Sequence, residues 1–140
     1  MRNIFLDTNV IIDFLGDRKP FSKFALRIFE RGYNQEIELW TSSNSITTAY
    51  YILDKLTNRE NAFNLIAVLL TQIKVQAVTH EHLVLASQGR LIDFEDGVQH
   101  YCALSIKQLE TLVTRNKKDF KNSSLNVIAP DEFQRWLEGK

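Results

Sequence analysis

The sequence has little cysteine, proline or glycine: one, two and five residues among 140. With Cys102 alone, no intramolecular disulfide forms and no cluster of thiolates can hold zinc. Long apolar runs are also missing, because the longest aliphatic stretch, residues 65–70, is far too short to cross a bilayer. Asp7 and Asp13 interrupt the apolar N-terminus, which therefore lacks the unbroken core of a signal peptide. These absences predict a cytoplasmic protein without a membrane segment.

An excess of charge of either sign is missing as well. The 17 lysines and arginines balance 17 aspartates and glutamates, so the formal net charge is +0. This balance argues against a generally cationic nucleic-acid binder and leaves a local basic patch open. The content of 44% apolar and 11% aromatic residues excludes a disordered chain. The length favours one domain over residues 1–140.

Short apolar segments alternate along the chain with segments of helical period. Gly16 and Gly32 are expected to end the first two helices, and Pro130 to begin the last one. Strands that alternate with helices predict an α/β fold: a mainly parallel, twisted sheet of about five strands with helices on both faces. The predicted strands are residues 3–6, 38–42, 75–78, 111–114 and 126–128.

Acidic residues follow the ends of predicted strands. Asp7 comes directly after the first strand, and Asp119 follows the fourth strand after a short loop. Asp93 and Asp96 open a helix that is expected to pack on the same sheet. Because ligands gather at the carboxyl ends of parallel strands, we expect these carboxylates to converge. Such a site suits Mg²⁺ or Mn²⁺, which can activate water for attack on a phosphodiester.

Each of these acids also has a purely structural interpretation. Asp7 is placed to cap the helix that begins near Val10. Asp93 stands in a D-x-x-D pattern, for which the role of N-cap is favoured. Asp96 either faces the site or stabilises the helix dipole, and Asp119 by itself is compatible with an ordinary loop acid. The predicted convergence of all of them is what favours a metal site.

Three segments resemble motifs of the PIN-domain ribonucleases, a family that includes the VapC-like toxins of bacterial toxin–antitoxin pairs. Residues 4–13, IFLDTNVIID, look like the first motif of the family. Residues 93–104, which open with DFED, resemble the third motif, and VTRNKKDF at 113–120 is similar to the fourth. The resemblance implies a PIN-like domain that hydrolyses RNA with Mg²⁺ or Mn²⁺ and leaves a 5′-phosphate and a 3′-hydroxyl. It also implies the role of toxin in a toxin–antitoxin pair.

The resemblance further implies roles for individual residues. The catalytic, metal-binding carboxylates would be Asp7, Asp96 and Asp119. Asp93 and Asn116 are further candidates for binding the metal, Asn116 through a water molecule. The residues expected to orient the ligands by hydrogen bonds are Thr8, Asn9 and Thr114.

A basic cluster accompanies the fourth motif. The segment 115–121 carries four cations, beside Asp119. Phosphate capture and an ordinary solvated loop are both open for this cluster, since phosphate contacts supply most nucleic-acid affinity. The polar segment at 43–47 either hydrogen-bonds the RNA backbone or caps a helix. The candidate RNA-binding residues are Arg115, Lys117, Lys118 and Ser45.

The second motif departs from the family's pattern. It normally places a glutamate in the helix after the second strand, whereas residues 42–53 contain no acid and Tyr50 or a neighbour is expected there. A phenol contributes no charge near neutral pH. Either Asp93 or Glu95 supplies the missing charge, or the site binds metal weakly. The second possibility supports an alternative function, a catalytically weakened PIN-fold module that binds RNA or protein.

Two further expectations concern class and partners. A phosphoacceptor receiver domain ranks last, because that class requires paired acids after the first strand and Asp7 stands alone. The resemblance implies a homodimer and a small antitoxin protein as partners. Helix 21–29 and the aromatic residues Tyr50, Tyr51 and Phe63 are candidates for such contacts, and the core is the alternative for them.

Overall fold

Five parallel strands form one sheet in the order β3-β2-β1-β4-β5. The structure is a computed structural model in which residues 1–89 and 93–139 are described. It confirms the predicted α/β class and the number of strands. The strands are β1 (Arg2–Leu6), β2 (Ile37–Ser42), β3 (Lys74–Gln76), β4 (Leu109–Val113) and β5 (Val127–Ile128).

Helices connect the strands and cover both faces of the sheet. Short 3₁₀ turns at Lys117–Phe120 and Pro130–Glu132 complete the secondary structure of the described ranges. In those ranges no helix has both the length and the apolar character needed to cross a membrane. The α-helices are α1 (Thr8–Leu15), α2 (Ser22–Tyr33), α3 (Ser43–Leu56), α4 (Arg59–Leu69), α5 (His80–Ala86), α6 (Phe94–Leu104) and α7 (Phe133–Glu138).

The central strand β1 divides the core into two layers. Ile4, Phe5 and Leu6 are all fully buried, as expected for a strand covered on both faces. Ile4 and Leu6 join the cluster formed by α1, α2 and parts of α3, α4 and α7. Phe5 points the other way and packs with Ala103 of α6. The alternation of side chains along a strand thus places apolar residues under helices on both sides.

Three helix boundaries differ from the sequence prediction; one is the start of α7, which begins at Phe133 after the 3₁₀ turn that starts at Pro130. Gly16 ends α1 as predicted, but Gly32 lies inside α2, which continues to Tyr33. A Cβ atom on Gly32 would lie 2.7 Å from Leu39 Cδ1, so this glycine allows α2 to approach β2. Helix α3 begins at Ser43, three residues earlier than predicted, because Ser42 caps it by accepting a hydrogen bond from the Ser45 amide.

The buried thiol of Cys102 leads to a first prediction. Cys102 is fully buried in α6, and burial raises the pKa of its thiol to about 12. Because the thiolate is the reactive form, we expect iodoacetamide to leave the native protein unlabelled over a time in which the urea-unfolded chain is alkylated completely. Mass spectrometry measures both reactions. Native labelling at the rate of a free thiol would contradict this placement.

Candidate active site

The register of the sheet places Asp7 at the centre of the candidate site. Leu6 pairs with Val113, so β1 and β4 end side by side and the Asp7 amide donates to the Val113 carbonyl at 3.0 Å. Thr114, the next residue after β4, donates through Oγ1 to Asp7 Oδ2 at 2.8 Å. Asp7 also caps α1, because its Oδ1 accepts from the Thr8 amide at 2.8 Å. The two interpretations offered by the sequence, cap and site carboxylate, are therefore compatible.

A buried glutamine, Gln99 of α6, ties this carboxylate to the end of β2. Its Nε2 donates to Asp7 Oδ1 at 3.1 Å and to Ser45 Oγ at 2.7 Å. Its Oε1 accepts from the Ser42 hydroxyl, and Ser45 Oγ is 2.7 Å from Thr8 Oγ1. Such a satisfied buried network holds Asp7 in one orientation. Three donors bind to the Asp7 carboxylate, which has about four lone-pair positions, so part of its capacity to accept hydrogen bonds remains free.

The predicted acids line one cavity of about 390 Å³. Asp7 is 6% exposed at its base, whereas Asp96 and Asp119 are half-buried. Asp93 caps α6 as the sequence favoured, accepting from the Asp96 amide at 3.3 Å, and it also lines the cavity. The described residues around the cavity are Asp7, Thr8, Asn9, Ile12, Arg18, Thr48, Ile52, Asp93, Glu95, Asp96, Gln99, Asn116 and Asp119.

Burial and the neighbouring carboxylates raise the pKa of Asp96 to about 7. Burial is the largest cause, and the negative charges of Asp7, Asp93, Asp119 and Glu95 add to it in that order. Burial and like charges both disfavour the ionised carboxyl group. The cavity therefore concentrates negative charge that a bound cation would relieve.

This pKa predicts how the metal-free protein responds to pH. Because the folded pKa of Asp96 lies above the unfolded value, its favourable contribution to stability is complete below about pH 4 and is lost as the pH rises through 7. In EDTA at pH 8, we expect Asp96→Asn to raise the melting temperature, with a smaller difference between variant and wild type at pH 5. Calorimetry at both pH values measures the difference. A variant that melts below wild type at pH 8 would contradict the prediction.

Of the three residues predicted to orient the metal ligands by hydrogen bonds, two bond to Asp7 and one does not. Thr8 and Thr114 do bond to Asp7, and Thr114 Oγ1 also accepts from the Asn116 amide at 3.1 Å, which links the carboxylate to the loop after β4. No hydrogen bond joins the Asn9 side chain to Asp7 in the described part of the chain. Instead, Asn9 Oδ1 is buried there without a hydrogen-bond partner.

Two of the four cations in the basic cluster contact acidic residues. Arg115 donates from Nε and Nη2 to the buried carboxylate of Asp13, at 2.7 and 3.2 Å, and its guanidinium lies 3.9 Å from the ring centre of Phe21. Lys117 donates to Glu132 at 2.9 Å. Lys118 is exposed. Arg115 is thus held by a carboxylate, whereas Lys118 is a cation at the surface. Binding of RNA by these residues stays a prediction.

Two expectations for the second motif are also corrected. Ser45 is fully buried in the Gln99 network, so its hydroxyl cannot make the predicted direct contact with RNA. Tyr50 does not line the acidic cavity, because it packs against Phe63 with ring centres 5.1 Å apart. Thr48 and Ile52 are the described residues of α3 that line the cavity where the family's pattern led us to expect an acid, and Thr48 is the polar one.

Sequence reasoning missed three residues of the site. Gln99 follows Asp96 by three positions, a spacing that places both on one face of α6 and was available as a signal. Asp13 is the one charged residue of α1 and is 1% exposed. Arg18 donates from Nε to Asp13 Oδ1 at 3.0 Å and lines the acidic cavity. No local pattern distinguishes Arg18 from the neighbouring Lys19.

The donor set suits a hard divalent cation. Within residues 1–89 and 93–139, no group of three or more acidic, histidine or cysteine side chains is arranged so that it could hold a metal ion as it stands. The cavity nevertheless offers carboxylate oxygens and a buried, unpartnered amide oxygen from Asn9. Oxygen donors of this kind fit Mg²⁺ or Mn²⁺. The fold and the site define an α/β domain with an acidic cleft at the carboxyl ends of a parallel sheet.

Comparison with known families identifies this class. The family model of the PIN domain matches residues 3–118, so the chain belongs to the PIN-domain family. A relative named Ribonuclease VapC1, from Aquifex aeolicus (strain VF5), is 28% identical over 138 residues, covering 95% of this chain and 94% of the relative. The family predicted from the three sequence motifs is confirmed.

Solved structures agree with this fold. The DNA-bound VapBC from Salmonella typhimurium superposes with a TM-score of 0.70 at 18% identity, covering 93% of this chain and 99% of that chain. A toxin–antitoxin complex from Klebsiella pneumoniae gives a TM-score of 0.65 at 20% identity, covering 91% and 97%. At these identities the likeness concerns the fold.

Proposed function

We propose that this protein is a metal-dependent endoribonuclease that acts as the toxin of a toxin–antitoxin pair. The observation that carries the proposal is the convergence of Asp7, Asp96 and Asp119 on one cavity at the ends of β1 and β4. Membership of the PIN-domain family and similarity to a relative named as a ribonuclease support the same activity. Because RNA is the proposed substrate, the cytoplasm is the proposed place of action.

The residues proposed to hold Mg²⁺ or Mn²⁺ are the carboxylates that line the cavity. Asp7 is the central ligand, Asp96 and Asp119 complete the set, and Asp93 and Asn116 lie at the same cavity. When bound, the cation would supply the positive charge that activates water and stabilises the charge developing on the phosphodiester. The hydrogen bonds from Thr8 and Thr114 hold Asp7 in place for this role.

A cleavage assay tests the proposed function directly. Single-stranded RNA with a label at one end is incubated with the protein and either Mg²⁺, Mn²⁺ or EDTA. We expect cleavage with either cation, none in EDTA, and products that carry a 5′-phosphate and a 3′-hydroxyl. A ligase that requires those ends identifies the products. Cleavage that persists in EDTA would refute metal dependence, and intact RNA under every condition would refute the nuclease.

The Thr48 side chain supports a second candidate function. A threonine on the cavity wall contributes no charge, which favours a module that binds RNA or protein and cleaves weakly. Under the nuclease proposal, Thr48→Glu adds a carboxylate to the cation site. We expect this variant to bind Mn²⁺ about 10-fold more tightly and to cleave RNA faster. Calorimetric titration and the cleavage assay measure the two effects, with Thr48→Gln as the uncharged control of matched size.

The outcomes of this substitution separate the two functions. Faster cleavage by Thr48→Glu than by Thr48→Gln supports a nuclease that has too little negative charge at the cavity wall around position 48. Wild-type protein that binds RNA without cutting it, together with an inactive Thr48→Glu variant, supports the binding module instead.

A small antitoxin and a second copy of the chain are the proposed protein partners. Apolar surface for such contacts exists on the neighbouring helices α3 and α4, where Tyr51 and Phe63 are 62% and 54% exposed. In α2, Ala25, Ile28 and Phe29 belong to the core, whereas Leu26 and Tyr33 are 48% and 77% exposed. Light scattering of the purified protein, compared with a Tyr51→Ser variant, tests the proposed dimer.

A further inference from the structure

The acidic cavity needs a positive charge to receive a polyanion. RNA carries one negative charge for each phosphodiester, and the walls of the cavity are mainly carboxylates. Arg18 is the one cation among the described residues that line this cavity. Its side chain is 34% exposed, so it is accessible to a ligand. An arginine in such a place provides a planar set of donors suited to phosphate oxygens.

Arg18 is anchored by one edge of its guanidinium. Its Nε donates to Asp13 Oδ1 at 3.0 Å, and its backbone amide donates to the Asp13 carbonyl at 3.1 Å. In the described part of the chain, the two terminal nitrogens of Arg18 make no hydrogen bond. The anchored edge therefore limits the rotamers of the side chain while the terminal donors remain available. Asp13 is 1% exposed and cannot itself contact the substrate.

The charges around Asp13 indicate that Arg18 does more than neutralise it. Arg115 already donates two hydrogen bonds to the same carboxylate. Two guanidinium groups on one carboxylate leave a net positive charge. Arg115 lies over the ring of Phe21 and is not among the described residues that line the acidic cavity, whereas Arg18 is one of them. The positive charge on Arg18 is thus only partly compensated at the place where a phosphate would enter.

We propose that Arg18 binds a non-bridging phosphate oxygen of the RNA strand in the acidic cavity, and that Asp13 is the residue that positions it. This inference rests on the proposed function, since it concerns the substrate of the same site. The ligand class is a phosphodiester of single-stranded RNA.

Substitution of Arg18 tests the proposal. We expect Arg18→Gln to weaken binding of a labelled RNA oligonucleotide by about 10-fold or more. Fluorescence anisotropy with Mn²⁺ measures the binding, within a time over which the cleavage assay finds the oligonucleotide still intact. Arg18→Lys should recover part of this loss. The matched control is Lys19→Gln, because Lys19 is the adjacent residue, its side chain is 80% exposed, and its ion pair within the described residues is with Asp17, at 3.9 Å. The control should bind RNA as the wild type does.

Neutral linkages distinguish a phosphate contact from a structural role. A series of oligonucleotides carries one methylphosphonate each, which removes one charged oxygen at a single linkage. At one linkage, we expect the methylphosphonate to weaken binding by the wild type as much as the Arg18→Gln substitution weakens binding of the unmodified RNA. At that same linkage, the methylphosphonate should not weaken binding by Arg18→Gln any further. Losses that are additive at every position would overturn the proposal. So would an Arg18→Gln variant whose Mn²⁺ affinity also falls, because removal of a cation from the cavity should leave cation binding unchanged or tighter.

Failure of this inference is distinguishable from failure of the proposed nuclease. If the wild type cleaves RNA and Arg18→Gln binds and cleaves equally well, the nuclease stands and the role of Arg18 is refuted. If the wild type binds RNA without cleaving it and Arg18→Gln weakens that binding, the phosphate site stands without the nuclease. If the wild type does not bind RNA, both proposals fail.

Discussion

Asp7→Asn is expected to lower the rate of RNA cleavage by more than about 100-fold while the protein remains folded. The substitution removes the charge at the base of the cavity, where Asp7 is 6% exposed and held by three hydrogen bonds. Substitutions of residues that merely support a metal ligand already reduce activity about 10- to 100-fold, so loss of the central carboxylate should exceed that range. Steady-state cleavage at saturating Mn²⁺ measures the effect.

The structure explains why asparagine is the informative replacement. Asparagine is as good an N-cap as aspartate, so α1 keeps its cap on the Thr8 amide. Asp7→Ala removes that cap as well and is expected to destabilise the fold by about 1 kcal/mol. Asp17→Asn is the control, because the Asp17 side chain is 74% exposed and Asp17 does not line the acidic cavity. Cleavage by Asp7→Asn at the rate of this control would refute Asp7 as the central ligand.

Asp13→Asn is expected to cause the largest loss of stability, about 2 kcal/mol or more in the free energy of unfolding. The buried Asp13 carboxylate accepts three charge-assisted hydrogen bonds, from Arg18 Nε and from Nε and Nη2 of Arg115. Removal of one partner of a buried ion pair typically costs about 3–5 kcal/mol. The arginine side chains are 34% and 26% exposed and can turn to solvent, which places the expected loss at or below the lower end of that range.

Urea unfolding of Asp13→Asn and the control measures this loss. Asp17→Asn should change the free energy of unfolding by less than about 0.5 kcal/mol, because the pair with Lys19 is exposed. We also expect the stability difference between Asp13→Asn and wild type to persist at high salt, since buried pairs are screened less than exposed ones. A loss as small as that of the control would show that the two arginines do not depend on Asp13.

Local patterns in the sequence were sufficient for the fold class and for the main carboxylates. The apolar run of β1 predicts a strand buried on both faces, and Ile4, Phe5 and Leu6 are all fully buried. Asp7 and Asp119 follow predicted strands, and parallel strands end at the same edge of a sheet. Their convergence therefore follows from topology alone. The boundaries at Gly32 and Ser43 were less predictable, because a glycine needed for contact with Leu39 and a serine cap at Ser42 depend on neighbouring elements.

The sequence by itself determined the family, the parallel sheet and the presence of acids at its edge, because period and strand-end position are local properties. Only the tertiary structure decided which polar side chains support those acids. Gln99 reaches Asp7 across 92 positions of sequence, and Arg115 reaches Asp13 across 102. Such contacts depend on how α6 and the loop after β4 pack against α1, and the burial of each polar group requires the partner that this packing supplies.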